Sequence, residues 1–165
     1  MTRLVALVLL VFVAAAAPAA ADAAQVHQIE IRKSARLMRL LAANGDEIRR
    51  YRVALGGNPV GHKQREGDER TPEGTYVIDW RNPKSAYHHS LHISYPSAAD
   101  RARARARGDD PGGMIMIHGL RRGMGWIGSL HTSLDWTNGC IAVTNAEIEE
   151  IWSLVENGAT VHILP

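Results

Sequence analysis

The sequence has 165 residues, a formal net charge of +2 and a single cysteine. This length suits one domain with a core large enough to fold without disulfides or structural metal. The sequence contains no P-loop, no dinucleotide-binding fingerprint and no CxxC pair, so the usual motifs of nucleotide-binding and zinc-stabilised proteins are absent. We therefore expect no cofactor, no metal and no nucleic-acid partner, and we expect a monomer.

Residues 1–24 predict a secretory signal peptide. Arg3 precedes an uncharged apolar run from Leu4 to Ala17, and small residues follow around Ala23. The apolar run is shorter than the roughly 20 residues of a membrane span. We expect an exported protein of the periplasm or cell envelope, with no membrane span after cleavage and a mature domain at 25–165. An uncleaved anchor is the alternative.

The first half of the mature chain predicts strands. Short alternating or β-branched segments occur at 26–33, 36–41, 47–55, 75–80 and 87–95. Asn44-Gly45-Asp46 is a hairpin signal, and Asn82-Pro83-Lys84-Ser85 predicts a further turn. This half is therefore predicted to be a β-meander followed by further strands.

The second half mixes helix and strand signals. Ala98–Arg107 alternates Ala with Arg and predicts a short exposed helix or an ordered loop. The apolar residues 114–117 predict a buried strand that ends at His118. Thr144 and Glu147 have the spacing of a capping box, which predicts a helix over about 145–156, and 160–164 predicts a last strand. The predicted fold class is mainly β with one or two helices.

Cys140 is the candidate nucleophile. An exported chain with one cysteine has no intramolecular disulfide partner for it, so the residue is a free thiol, an intermolecular bridge or a small buried hydrophobe. His118, at a strand end, can serve as the general base that a thiol requires. Gly139 allows a sharp turn before Cys140, and the amides of both residues could receive an oxyanion.

Three motifs in this order resemble the L,D-transpeptidase (YkuD-type) catalytic domain: Thr71-Pro72-Glu73-Gly74 before a strand, Ile117-His118-Gly119, and Thr137-Asn138-Gly139-Cys140-Ile141. The resemblance implies a β-sandwich-like fold with a catalytic cleft. It also implies Cys140 as nucleophile, His118 as base and the carbonyl of Gly119 as the group that orients the histidine ring.

The same resemblance implies the substrate and the reaction. Family members attack peptidoglycan stem peptides after the L-centre of a diamino acid, release D-alanine and pass the acyl-thioester to an amine. Transfer to water instead would give a hydrolytic variant, a carboxypeptidase or amidase.

The sequence departs from the family pattern near the cysteine. Ala142 replaces the arginine that members commonly carry two positions after the cysteine, and Asn138 stands where a histidine is frequent. The interval between His118 and Cys140 is also long, and it contains His131 and Asp135-Trp136. The Asp-Trp-Thr form indicates a distinct branch whose acceptor can differ.

Several residues are secondary candidates. His131 is a rival base, and His92 can either line the cleft or serve as an ordinary strand histidine. Asp135 can orient a histidine or begin a turn, and Trp136 can form a cleft wall or fill core. Candidate substrate-binding residues also include Thr137, Asn138 and the pair Arg121 and Arg122, which could bind a carboxylate in place of the missing arginine or simply lie on an exposed loop.

Two other classes of function remain open. The chain has eight histidines, and a metal site could draw on His88, His89, His92, His118, His131 and the thiol, although the spacings fit no compact zinc motif. A non-catalytic module that binds the wall or a polyanion could use Arg101, Arg103, Arg105 and Arg107. That second interpretation leaves Gly139-Cys140 unexplained.

Overall fold

The computed structural model describes residues 25–165. The predicted signal peptide, residues 1–24, lies outside the described residues. Among the described residues, no helix combines the length and the apolar character that crossing a bilayer requires.

Residues 25–165 form eight strands in one sheet with the order β3-β2-β1-β8-β4-β5-β6-β7. The strands are β1 Gln28–Arg32, β2 Leu37–Leu41, β3 Glu47–Arg52, β4 Gly74–Ser85, β5 His88–Ile93, β6 Met116–His118, β7 Ile141–Ala142 and β8 Thr160–Leu164. The helices are α1 Ala98–Arg107 and α2 Asn145–Leu154, and Gly125–Ser133 is a 3-10 segment with a kink at Gly128. The mainly β fold class is confirmed.

The sheet curls until its two ends meet. β1, β2 and β3 form the predicted antiparallel meander, and β8 pairs in parallel with β1 and antiparallel with β4. Beyond β3, Ala54 forms an antiparallel bridge with Ala142 of β7, the last strand at the opposite edge. The core inside this curl contains the fully buried side chains of Ile29, Leu40, Ile78, Leu91 and Ile117.

The structure differs from the prediction at 82–85, where a turn was expected. β4 continues through these residues to Ser85 and pairs with β5, with an irregular register between Asn82 and Ser85. The side-chain oxygen of Asn82 accepts a hydrogen bond of 2.9 Å from the amide of Lys84. This local turn is therefore accommodated as a bulge within the hairpin, and it does not end the strand.

Helix α2 begins where its capping box predicts. Thr144 accepts from the amide of Glu147, and Glu147 in turn accepts from the amide of Thr144 at 2.7 Å. The helix buries Ile148 and Ile151 completely, and its contacts are with β5. Because β5 lies next to β6, this packing supports the strand that carries His118.

Candidate active site

His118 is the last residue of β6, held between two neighbouring strands. It lies opposite Ser90 of β5 and Ala142 of β7, and its carbonyl accepts a hydrogen bond of 3.0 Å from the amide of Val143. The residue is buried, with 4% of its surface exposed. The central part of the sheet thus fixes the backbone of the predicted base.

The ring of His118 is oriented by the next residue. Its Nδ1 lies 2.7 Å from the carbonyl oxygen of Gly119. A carbonyl can only accept, so Nδ1 carries the proton and Nε2 keeps its lone pair in the neutral ring. This tautomer leaves Nε2 available as a proton acceptor.

The turn at Gly119 depends on Asn145, the first residue of α2. Asn145 Oδ1 accepts a hydrogen bond of 2.8 Å from the amide of Leu120, and a Cβ at position 119 would lie 2.8 Å from the same oxygen. Glycine is therefore required for close approach, and the start of α2 fixes the carbonyl that orients the histidine.

Two aromatic side chains enclose the ring of His118. Tyr87 lies against it with a centroid distance of 4.6 Å, and Trp136 approaches it edge to face at 5.9 Å. Trp136 was a sequence candidate for the cleft wall, whereas Tyr87 was missed. The position of Tyr87 beside His118 depends on the pairing of β5 with β6, and no local sequence pattern reveals that pairing.

Burial lowers the pKa of His118 below its usual 6.5, although the hydrogen bond to Gly119 acts in the opposite direction and the nearby His131 adds to the lowering. A charged imidazolium loses hydration in this environment, and so the neutral ring is favoured. At neutral pH His118 is therefore in the form that can accept a proton.

Cys140 follows a tight turn that Thr137 holds closed. Thr137 Oγ1 donates to the carbonyl of Cys140 at 2.8 Å and accepts from the amide of Gly139 at 3.1 Å. Gly139 has φ of 116°, and a Cβ there would lie 2.6 Å from the carbonyl oxygen of Arg70. Both the backbone angle and the close approach require glycine.

This turn corrects part of the expectation for the oxyanion. The amide of Gly139 already donates to Thr137 Oγ1, so it does not point a free N–H group into the cleft. Of the two predicted donors, the amide of Cys140 remains the candidate. The sequence could not reveal this, because the hydroxyl of Thr137 can form several local bonds.

Cys140 is partly exposed, and its surroundings have opposing effects on the pKa of its thiol. Burial raises its pKa above the usual 9.0, while a backbone hydrogen bond from Met116 and the positive charge of Lys63 lower it. The thiol also donates a weak hydrogen bond of 3.6 Å to the carbonyl of Met114. Burial dominates, so the resting group is a neutral thiol that needs a base to become nucleophilic.

His118 and Cys140 line one open cleft of about 480 Å³. Its walls include the polar side chains of Asn82, Ser90, Thr137 and Asn138. The hydroxyl of Ser90 is buried and has no hydrogen-bond partner among residues 25–165. The cleft brings together the predicted base, the predicted nucleophile, Trp136, Thr137 and Asn138.

Other sequence candidates lie elsewhere. His131 and Arg121 line a second cavity, separated from the catalytic cleft by Tyr87 and Trp136, which border both. Arg122 donates to the carbonyl of Ser85 at 3.2 Å. Neither arginine lines the cleft, so the predicted replacement of the missing arginine is not supported by this arrangement.

His92 does not line the cleft. It lies on β5 two residues beyond Ser90, its Nδ1 is 2.6 Å from Asp79, and its ring stacks on Trp80 at 4.9 Å. The alternative prediction, a strand histidine satisfied by its neighbours, describes this residue.

Asp135 orients the loop rather than a histidine. Its carboxylate accepts from the guanidinium of Arg36 at 2.7 Å and from the amide of Leu55 at 2.9 Å. These contacts fix the segment before Trp136 and the cysteine turn. Ala142 is fully buried where the sheet closes, so an arginine side chain at this position would enter the core.

Within the described part of the chain, no three His, Cys, Asp or Glu side chains are grouped as a metal site requires. The clustered histidines of the sequence have separate partners: His88 contacts Glu149 at 2.6 Å, and His89 stacks on Trp152 at 4.8 Å.

The arginines of α1 lie on an exposed helix, as predicted. Arg103 pairs with Asp100, and Arg107 pairs with Asp109 at 3.2 Å. Local carboxylates thus partly neutralise the positive stripe.

Known proteins resemble both the sequence and the fold. The YkuD family model, described as the L,D-transpeptidase catalytic domain, matches residues 27–163. The Escherichia coli (strain K12) protein named "Putative L,D-transpeptidase YafK" is 33% identical over 134 residues, which cover 77% of this chain and 46% of that protein.

Solved structures share this fold. The helical cell shape determining protein Pgp2 from Campylobacter jejuni matches with a TM-score of 0.64 and 25% identity, over 84% of this chain and 47% of that one. An L,D-transpeptidase from Mycobacterium smegmatis matches with a TM-score of 0.52 and 12% identity, over 84% of this chain and 58% of that one. The chain thus spans about half the length of YafK and Pgp2. From the family match over nearly all of the described residues, we conclude that this chain belongs to the L,D-transpeptidase (YkuD) catalytic domain family.

Proposed function

We propose that this protein is an exported cysteine acyltransferase that acts on peptidoglycan stem peptides. The observation that carries the proposal is the cleft shared by Cys140 and a neutral His118 whose Nδ1–H donates to Gly119. Export rests on the signal peptide predicted at residues 1–24, and the substrate class rests on membership of the family.

Acylation begins when His118 Nε2 takes the proton of the thiol as Sγ attacks the carbonyl carbon after the L-centre of the diamino acid. The carbonyl oxygen becomes an oxyanion, and we assign the amide of Cys140 as the donor that receives it. The intermediate collapses, the C–N bond breaks, and His118 returns the proton to the leaving nitrogen. D-alanine departs, and an acyl-thioester remains on Cys140.

The second half of the reaction reverses these roles. An amine of another stem attacks the thioester carbonyl and gives its proton to His118, and the C–S bond breaks. The sulfur takes the proton back, so the enzyme is regenerated with a new amide bond in the product. Water in place of the amine would yield a free carboxylate, which defines the hydrolytic variant.

The directions of the pKa shifts of His118 and Cys140 favour general-base catalysis over a preformed thiolate–imidazolium ion pair. Burial lowers the pKa of His118 and raises that of Cys140, so both groups are neutral at rest. A neutral pair avoids the free-energy cost of two partly buried charges. The thiolate is then formed only as the substrate carbonyl arrives.

Recognition of the stem peptide is proposed to use polar side chains of the cleft. Asn82 and Ser90 lie on one wall, and Asn138 lies next to the cysteine turn. These groups suit the amides and hydroxyls of a peptide, in keeping with the absence of an arginine from the residues that line this cleft. Tyr87 and Trp136 exclude water from the ring of His118.

Incubation of purified peptidoglycan with the protein tests the proposal. Muropeptides are analysed by mass spectrometry after treatment with wild type, Cys140→Ala and His118→Ala, with His162→Ala on β8, outside the cleft, as the matched control for the histidine variant. New crosslinks that depend on Cys140 indicate transfer, and release of D-alanine without new crosslinks indicates hydrolysis. No difference between wild type and Cys140→Ala would contradict the proposal.

A further inference from the structure

A second cavity, here called the side pocket, lies beside the catalytic cleft. Its volume is about 440 Å³, within the range of small-molecule sites. Most of its wall comes from apolar side chains: Leu120, Met124, Ile127, Leu130, Leu134 and Trp136. Much of this wall belongs to residues 120–134, a part of the segment between His118 and Cys140 to which the proposed reaction gives no role.

The rim of the side pocket exposes an unusual amount of apolar surface. Leu130 is 72% exposed and Leu134 is 74% exposed, and the adjoining Trp126 is 80% exposed. Several large apolar side chains exposed together on one segment mark a binding surface more often than isolated ones do. An occupant with an apolar body would remove this surface from water.

The polar side chains of the pocket wall include Arg121, His131 and Ser133. Arg121 lines it, and among residues 25–165 no carboxylate lies within ion-pair distance of this guanidinium. His131 forms part of the wall and is 6% exposed, and neither of its ring nitrogens has a hydrogen-bond partner among those residues. Because protein atoms enclose both nitrogens, Arg121 is the charged side chain that an occupant of the pocket can contact.

From these observations we propose that the side pocket binds a small amphiphilic anion, namely an aliphatic chain that carries a carboxylate. The chain lies against Ile127, Leu130 and Leu134, while the carboxylate pairs with Arg121. The positive charge of Arg121 complements the anion, and Arg122 adjoins it in the sequence.

A ligand in the side pocket would affect the active site through the side chains that line both cavities. Tyr87 and Trp136 border both cavities and both contact the ring of His118. A ligand in the side pocket would therefore restrict the two rings that enclose the base. The binding proposal itself does not depend on the reaction proposed above, because its test measures binding directly.

Calorimetric titration with octanoate tests the proposal, with octanol and acetate as probes of the chain and the head alone. Saturable binding of octanoate to one site is expected, with octanol at least about tenfold weaker and acetate without binding. Equal affinities for octanoate and octanol would overturn the role of the anion. Absence of saturable octanoate binding would overturn the site. Anionic phospholipid vesicles are titrated in parallel, and binding to the vesicles without binding of octanoate would also overturn it.

Matched variants locate the site. Leu130→Glu places a carboxylate on the apolar rim and is expected to weaken octanoate binding about tenfold or more. Val60→Glu is the control, because Val60 is 78% exposed and lies outside the pocket. Arg121→Ala should weaken octanoate but leave octanol unchanged. Equal loss in the two glutamate variants, or no loss in Arg121→Ala, would contradict the assignment.

Discussion

The Nδ1 atom of His118 lies 2.7 Å from the carbonyl oxygen of Gly119, the residue that follows it. Through this contact the backbone that follows β6 determines the tautomer of the ring, because the carbonyl accepts a hydrogen bond only from a protonated Nδ1. Asn145 holds the same turn from the start of α2. The proton-accepting nitrogen is thus determined by backbone geometry rather than by a carboxylate partner.

The acid limb of the acylation rate should lie below pH 6.5. Burial holds the pKa of His118 below that value, so the neutral base persists as the pH falls and is lost only when the pH passes through the lowered pKa. The rate of Cys140 acylation by a β-lactam, followed between acid and neutral pH, gives the midpoint. A midpoint at or above 6.5 would contradict this account.

Direct alkylation of Cys140 without its base should also rise with pH, but in a much higher range. Burial raises the pKa of the thiol above 9.0, so little thiolate forms at neutral pH without a base. In His118→Ala, we expect the iodoacetamide reaction to accelerate only above pH 9, as measured by mass spectrometry. Rapid alkylation of this variant at neutral pH would show that the thiolate is formed without His118.

Gly139→Ala should destabilise the protein strongly. The new Cβ would lie 2.6 Å from the carbonyl oxygen of Arg70 at a φ of 116°, so strain and steric overlap combine. We expect a loss of about 3 kcal/mol or more in the free energy of unfolding. Urea denaturation measures it.

Gly158→Ala is the matched control for this substitution. Gly158 has φ of 93°, but among residues 25–165 no neighbouring atom would lie within 4 Å of the added Cβ. Only the backbone strain, about 1–2 kcal/mol, is therefore expected. Equal losses in the two variants would show that the contact with Arg70 is unimportant.

Thr137→Val should slow acylation and destabilise the cysteine turn. The substitution keeps the side-chain shape but removes the hydroxyl that bonds Cys140 and Gly139. We expect a stability loss of about 1–3 kcal/mol and an acylation rate lowered about tenfold or more, since the nucleophile is less well positioned. Thr137→Ser should restore most of both. A valine variant that acylates at the wild-type rate would exclude the positioning role.

Lys33→Met should strongly destabilise the protein, although Lys33 is far from His118 and Cys140 in the sequence. Its buried ammonium donates to the carbonyls of Gly61 at 2.5 Å and Thr71 at 2.9 Å, and it pairs with Glu73 at 2.8 Å. Removal leaves these acceptors unpaired, and we expect a loss of about 3 kcal/mol or more in the free energy of unfolding.

The control for this prediction is Arg32→Met, measured by the same denaturation experiment. Arg32 is about half exposed and pairs with Glu30 at 2.7 Å, and an exposed ion pair of this kind contributes about 1 kcal/mol or less. A Lys33 variant as stable as the Arg32 variant would show that the motif at 71–74 does not need this anchor.

Local sequence signals predicted those helix starts and turns that are determined by residues close together in the sequence. The capping box of Thr144 and Glu147 marked the start of α2, and Asn44-Gly45-Asp46 marked the first hairpin. The signal at Asn82 was misleading, because its side chain forms a turn that the β4-β5 hairpin absorbs as a bulge. Gly125–Ser133 was not predicted as helical, since its glycines obscure any periodicity.

Residues that depend on strand order could not be predicted. β8 joins β1 to β4, and β5 brings Tyr87 and Ser90 beside His118. These contacts connect segments far apart in the sequence, and no local pattern specifies them. The separation of Arg121 and His131 from the cleft has the same origin, since Tyr87 lies between the two cavities.

The central claim is that Cys140 forms an acyl-enzyme with the help of His118. Intact-mass measurement after incubation with a carbapenem tests it most directly. We expect a single adduct on wild type, none on Cys140→Ala, and an adduct that forms about a hundredfold or more slowly on His118→Ala. No adduct on wild type, or one that persists in Cys140→Ala, would contradict the account.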